Sequence, residues 1–135
     1  MICRKNRLLL SMLAMVVALT TGLQGLQAQT KLHEMALERW TKMREVERYQ
    51  MNIAEKYYQD KKYDIAMSEY EKYLSLYEAS DAASFAQLKW SLCLNQLRKQ
   101  NTAIKEGFQS VIDYWPESAD AAKASYLIGK TYVAI

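Results

Sequence analysis

The sequence predicts an all-α protein made of antiparallel helix-turn-helix units. Three observations carry this expectation. The 135 residues include only four Gly and one Pro but seven Met and ten Tyr, which leaves few turn formers. Apolar side chains recur at steps of three or four in five successive stretches, as on one face of a helix. A large–small–large pattern then returns at steps of 37 and 38 residues: Met51, Leu88 and Tyr126; Ala54, Ser91 and Gly129; Tyr57, Leu94 and Tyr132.

The chain begins with a targeting layout. Arg4, Lys5 and Arg7 precede a twelve-residue apolar run, LLLSMLAMVVAL, followed by TTGLQGLQA. A basic start, a short apolar run and small residues near a cut site are the parts of a signal peptide, here residues 1–28. A bilayer span needs roughly 20 apolar residues. The alternative is an uncleaved anchor in the inner membrane. Cys3 precedes the run, so no lipid-acceptor cysteine stands at its end. Without residues 1–28 the body holds fifteen basic and fifteen acidic residues, which argues against nucleic acid as a partner.

The body then reads as consecutive helices. Residues 29–46 form an N-terminal helical extension continuous with the first main helix, since 31–60 carries Leu32, Ala36, Trp40, Met43, Val46, Ile53 and Tyr57. Asp60, Lys61 and Lys62 make a polar break. Tyr63, Ala66, Met67, Tyr70, Tyr73, Leu74 and Tyr77 form the second stripe. Ser80 or Asp81 is placed to cap the third, which runs through Phe85, Leu88, Trp90, Leu92, Leu94 and Leu97. Asn101 or Thr102 is placed to cap the fourth, carrying Ile104, Phe108, Val111, Ile112 and Trp115. Pro116 ends it, and Ser118 caps a fifth helix whose positive first turn holds Asp120. Helices of about 15 residues with such short joints lie antiparallel.

The columns carry a resemblance. Ala54, Tyr57, Ala66 and Tyr70, followed by Ser91, Leu94, Ala103, Phe108 and Pro116, and then Gly129 and Tyr132, resemble the tetratricopeptide repeat (TPR), a helix-turn-helix unit of about 34 residues. Phe108 stands five residues after Ala103 where the family has four; either the turn shifts by one residue or Ile104 takes the place of the alanine. The stretch FQSVIDYWPESADAAKASYLIGKTY is similar to repeats of bacterial outer-membrane assembly lipoproteins and of the Tol-Pal coordinating protein. The resemblance covers residues 47–135, about two and a half repeats, and implies a short right-handed solenoid. The apolar end TYVAI, with no polar outer face, is expected to belong to a longer array; the alternative is that residues 119–135 act as a closing helix.

Nothing in the sequence assembles a catalytic constellation. His33 is the only histidine and reads as a solvated residue; Ser118 reads as a cap; Cys93, alone after the leader, reads as a core residue. Glu45, Glu47, Arg48, Glu69, Glu71 and Lys72 read as solvated helix charges. No enzyme, metal, cofactor or small-molecule substrate is expected. The resemblance implies an envelope scaffold, periplasmic or associated with the outer membrane, that binds a protein or peptide. The groove it implies is lined by Arg48, Met51, Glu55 and Tyr58, by Phe85, Leu88, Leu92 and Asn95, and by Lys123, Tyr126 and Lys130. The alternative is a structural or oligomerising piece of a longer repeat protein, with no peptide groove and with self-association through the last helix.

Expressed in a Gram-negative host, the protein should accumulate outside the cytoplasm, with Gln29 or a close neighbour as its N-terminus. N-terminal sequencing of the fractionated protein checks this; full-length chain held in the cytosol would contradict it.

Overall fold

The structure is a computed structural model that describes residues 32–135, so the leader expected over residues 1–28 lies outside the described residues. The chain divides into two compact units, Met1–Glu34 and Met35–Ile135. The second unit is all-helical among the described residues. Its elements are α1 (Leu37–Lys42), α2 (Glu45–Gln59), α3 (Tyr63–Tyr77), α4 (Ala83–Gln96), α5 (100–114) and α6 (Ala119–Ala134).

The first helix differs from expectation. Met43 and Arg44 are extended, with ψ of 143° and 154°, and separate α1 from α2. Glu47 explains the restart. Its carboxylate accepts from the Arg44 N–H at 3.1 Å and from the Arg44 guanidinium at 2.7 Å, satisfying an orphan donor at the helix start. Glu47 is therefore buried rather than solvated, and Val46 points out, 54% exposed. Gln50 likewise donates to the Glu69 carboxylate at 2.7 Å, so Glu69 is half-buried.

The turns after α2 and α4 are the same structure 37 residues apart. Lys61 and Arg98 adopt positive φ, 59° and 63°. Lys62 N–H donates to the Tyr57 carbonyl and Lys99 N–H to the Leu94 carbonyl, each at 2.9 Å. Lys61 N–H donates to Tyr58 and Arg98 N–H to Asn95. This nested pair of bonds closes a helix C-terminus with one left-handed residue, a place that glycine usually takes. Of the other expected caps, Ser118 accepts from Ala121 N–H at 3.1 Å, but neither Ser80 nor Asp81 caps α4, whose N-cap is Ala82 without a side-chain bond; Ser80 accepts from Ala82 N–H at 3.2 Å in the turn before it. Asn101 and Thr102 lie inside α5, which opens with Gln100 and has no side-chain cap.

The five-residue spacing of Ala103 and Phe108 is absorbed within the helix. Ala103–Phe108 is a π-helical segment, in which one extra residue fits without moving either end off the core. Ala103, Ile104 and Phe108 are all buried, so the extra residue lies within the helix rather than in the turn before it, and Ile104 shares the core with Ala103.

Two clusters make up the core, and they meet at α4. Phe85, Ala86 and Cys93 pack with Met51, Ala54, Ala66, Tyr70 and Tyr73. Leu88, Leu92 and Leu94 pack with Ala103, Phe108, Val111, Ala124 and Leu127. Ser84 donates to Asp120 at 2.7 Å and Asn95 to Thr131 at 3.1 Å, both 36 residues ahead. A constant offset along two helices means that α6 runs parallel to α4 and beside it. Arg39 on α1 reaches the same place: it donates to Asp120 at 2.7 Å, to the Asp81 carbonyl at 2.6 Å and to Ser84 at 3.1 Å.

The small-residue columns divide at α6. Ser91 lies against Gly107 on α5, where an added Cβ would stand 2.6 Å from the Ser91 hydroxyl. Gly129, expected at a similar contact, has nothing within 4 Å of that position. Tyr126 and Tyr132, expected to pack around it, are 56% and 60% exposed. The reason is that α4 and α5 together cover only the Asp120, Ala124, Leu127 and Thr131 side of α6, and no described helix covers the other. Leu127 itself is buried.

The two glycines should therefore respond oppositely to alanine. Gly129→Ala adds helix propensity into open space and should raise stability by up to about 1 kcal/mol. Gly107→Ala must displace the Ser91 side chain and should lower it by about 1–3 kcal/mol. Urea denaturation of both variants checks the signs.

Candidate functional site

The proposed groove positions do not form one continuous exposed surface. Met51, Phe85, Leu88 and Leu92 are buried core residues, which corrects their reading as exposed groove lining. Arg48 is exposed and lies with Glu45, Tyr49 and Asn52 in a shallow depression on α2. Asn95 is half-buried and engaged with Thr131. Lys123 is half-buried, 3.6 Å from the Asp120 carboxylate, while Tyr126 and Lys130 are exposed on α6. Of the single residues weighed for chemistry, Ser118 is the cap of α6, Cys93 is buried, and His33 is half-buried rather than solvated.

Glu55, Tyr58 and Phe85 do come together, around a residue that sequence reasoning missed. Lys89 is 1% exposed. Its ammonium lies 3.2 Å from the Glu55 carboxylate and 3.5 Å from the centroid of the Tyr58 ring, with the Phe85 ring 5.7 Å away. Tyr70 donates to the other side of the matter, the same Glu55 carboxylate, at 2.5 Å. A charge buried this deeply needs an opposite charge and a polarisable face, and it has both. The available signal was Lys89 itself, the lone charge in the apolar run FAQLKWSLCL. The cluster ties α2, α3 and α4 together, because its members come from all three.

Burial perturbs the neighbouring acids. The Tyr70 hydroxyl is pushed far up by desolvation, with the Glu55 carboxylate adding to it. Desolvation also raises Tyr58, and it pushes the Cys93 thiol up to about 12. A thiol held protonated in an apolar pocket is a poor nucleophile.

The second feature is the open side of α6. Tyr126, Tyr132, Val133 and Ile135 expose 56%, 60%, 90% and 69% of their surface, and Gly129 lies bare between the two tyrosines. In α4 the corresponding Leu88, Ser91 and Leu94 are buried, with Gly107 and Phe108 of α5 in the adjoining packing. The α6 surface thus has the shape and residue types of a helix-packing face.

Among the described residues no group of His, Cys, Asp and Glu is placed to hold a metal ion, and no helix is long and apolar enough to cross a membrane. No family model, no curated protein and no solved structure matches the chain.

The raised thiol and phenols set an alkaline limit. In the unfolded chain these groups lose protons near their ordinary values, about 8.5 for Cys and about 10 for Tyr. The folded chain keeps them protonated, so the unfolded state binds fewer protons and stability falls as pH rises. The urea midpoint should be lower at about pH 10.5 than at about pH 8. An unchanged midpoint would show that the three groups titrate alike in both states.

Proposed function

We propose that this protein is an exported, non-enzymatic helical-repeat scaffold of the TPR kind that binds a protein partner in the bacterial cell envelope, in envelope or outer-membrane assembly. The observation that carries the reading is the same helix-closing turn at Lys61 and Arg98, set 37 residues apart, followed by α6 with its packing side open. Repeats of this kind bury each first helix against a second helix. In α2 and α4 that side is covered; in α6 it offers tyrosines, Val133 and Ile135 to solvent.

The burial of Met51, Phe85, Leu88 and Leu92 shifts the weight of the proposal from an inner peptide groove to this open side. It equally favours the second reading, an oligomerising or array-building protein. Covering Tyr132, Val133 and Ile135 removes about 200–300 Å² of apolar surface, on the order of 5–8 kcal/mol before association costs. That is enough to anchor a contact and too little for a tight complex by itself.

The test is the exported chain carrying Tyr126→Glu and Tyr132→Glu. Both residues are exposed, so helix content should stay at the wild-type level by circular dichroism. Cross-linking in the envelope and sedimentation at high concentration should show the wild type associating, with a partner or with itself, and the variant monomeric. A wild type that remains monomeric and uncross-linked would overturn the proposal.

A further inference from the structure

A cleft of about 740 Å³ lies between α3 and α5, with α4 as its floor. Leu74 and Glu78 line it from the end of α3, Trp90 from α4, and Glu106, Tyr114 and Trp115 from α5. Trp90 and Trp115 are half-buried and Tyr114 is 76% exposed, so aromatic surface faces the opening. The Tyr114 and Trp115 rings meet edge to face, 6.0 Å apart.

Every charge in this lining is negative. Glu106 and Glu78 are both exposed, and they come from different helices. The backbone adds to them. The cleft takes in the C-terminal ends of both α3 and α5, where unpaired carbonyls give the negative pole of a helix. Neither last turn carries a basic residue to offset it. Glu78, at the C-cap of α3, is on the wrong end of a helix for its own stability. Carboxylates, helix C-termini and indole faces all favour one kind of guest, a cation with an apolar stem.

We infer that this cleft binds a peptide segment of a protein partner in which arginine or lysine alternates with apolar residues. The inference rests on the protein-binding reading above and gives it a second surface and a charge preference. The cationic heads meet Glu78 and Glu106 and lie over the indoles, while the apolar side chains cover Leu74 and Trp90. An acidic segment is rejected by the same charges.

The probe is a capped pentapeptide of alternating arginine and leucine, titrated into the full chain while the indole N–H resonances are followed. The protein has three tryptophans, and Trp40 on α1 lies outside the cleft as an internal reference. Trp90 and Trp115 should shift with the peptide and Trp40 should not. The same peptide with glutamate for arginine should leave all three in place. Glu78→Lys together with Glu106→Lys should weaken binding at least about tenfold, and raising salt should weaken wild-type binding toward the variant's. Both sites are exposed, so circular dichroism should show the fold retained.

An arginine peptide that shifts none of the indoles, or all three alike, would overturn the inference. So would an affinity within twofold of wild type in the double charge reversal. The α6 variant Tyr126→Glu, Tyr132→Glu separates this from the preceding proposal, since it should bind the peptide unchanged. Loss of envelope cross-links in that variant, with no peptide binding in the wild type, would remove the cleft and leave the scaffold standing.

Discussion

The fold depends on the need to cover α4 on all sides. Ten of its fourteen residues are buried, and its apolar side chains point in every direction rather than along one stripe. A helix of that kind cannot lie on a surface; it must be enclosed. The α2–α3 pair packs with Phe85, Ala86 and Cys93, and the α5–α6 pair with Leu88, Leu92 and Leu94. Trp90 touches both clusters. The order of helices in space follows from that requirement together with turns too short to let neighbours separate.

Apolar contact alone would let these helices slide along one another, and the buried polar groups oppose this. Asp120, fully buried at the start of α6, is held by Arg39 from α1 and Ser84 from α4. Lys89 and Glu55 do the same between α4 and α2, with Tyr70 adding α3. Such pairs give little net stability over apolar packing, but a displaced register would leave one partner buried and uncompensated, at a cost of about 3–5 kcal/mol. They act as pins. Their members are held by neighbours from the core, which is why the residues that bring charge into this protein's interior are not where an exposed groove would need them.

Interaction capacity is left to the periphery. The α6 side exposes Tyr126, Tyr132, Val133 and Ile135, whereas the α3–α5 cleft is aromatic and negative. One suits a helix and the other a cationic chain. The two surfaces share no residue: Glu78, Trp90, Glu106 and Trp115 line the cleft, and Tyr126, Tyr132 and Val133 lie on α6.

The sequence by itself determined the local part of this structure. Helix periodicity, the stop at Pro116, the Ser118 cap and the 37-residue return of large and small residues depend on neighbours along the chain, and each is legible there. Other features had little or no local signature. The closing turns use Lys61 and Arg98 in a conformation that usually advertises itself with glycine. The π segment at Ala103–Phe108 left one trace, the five-residue step, but only the packing of both its ends into the core decided that the helix itself absorbs it. Likewise Met51, Phe85, Leu88 and Leu92 have the same spacing whether a helix face meets solvent or another helix. Only packing decided that they are core, that Lys89 is buried beside Glu55, and that Gly129 is bare. Periodicity tells which side chains share a face; what that face meets is a property of the assembled chain.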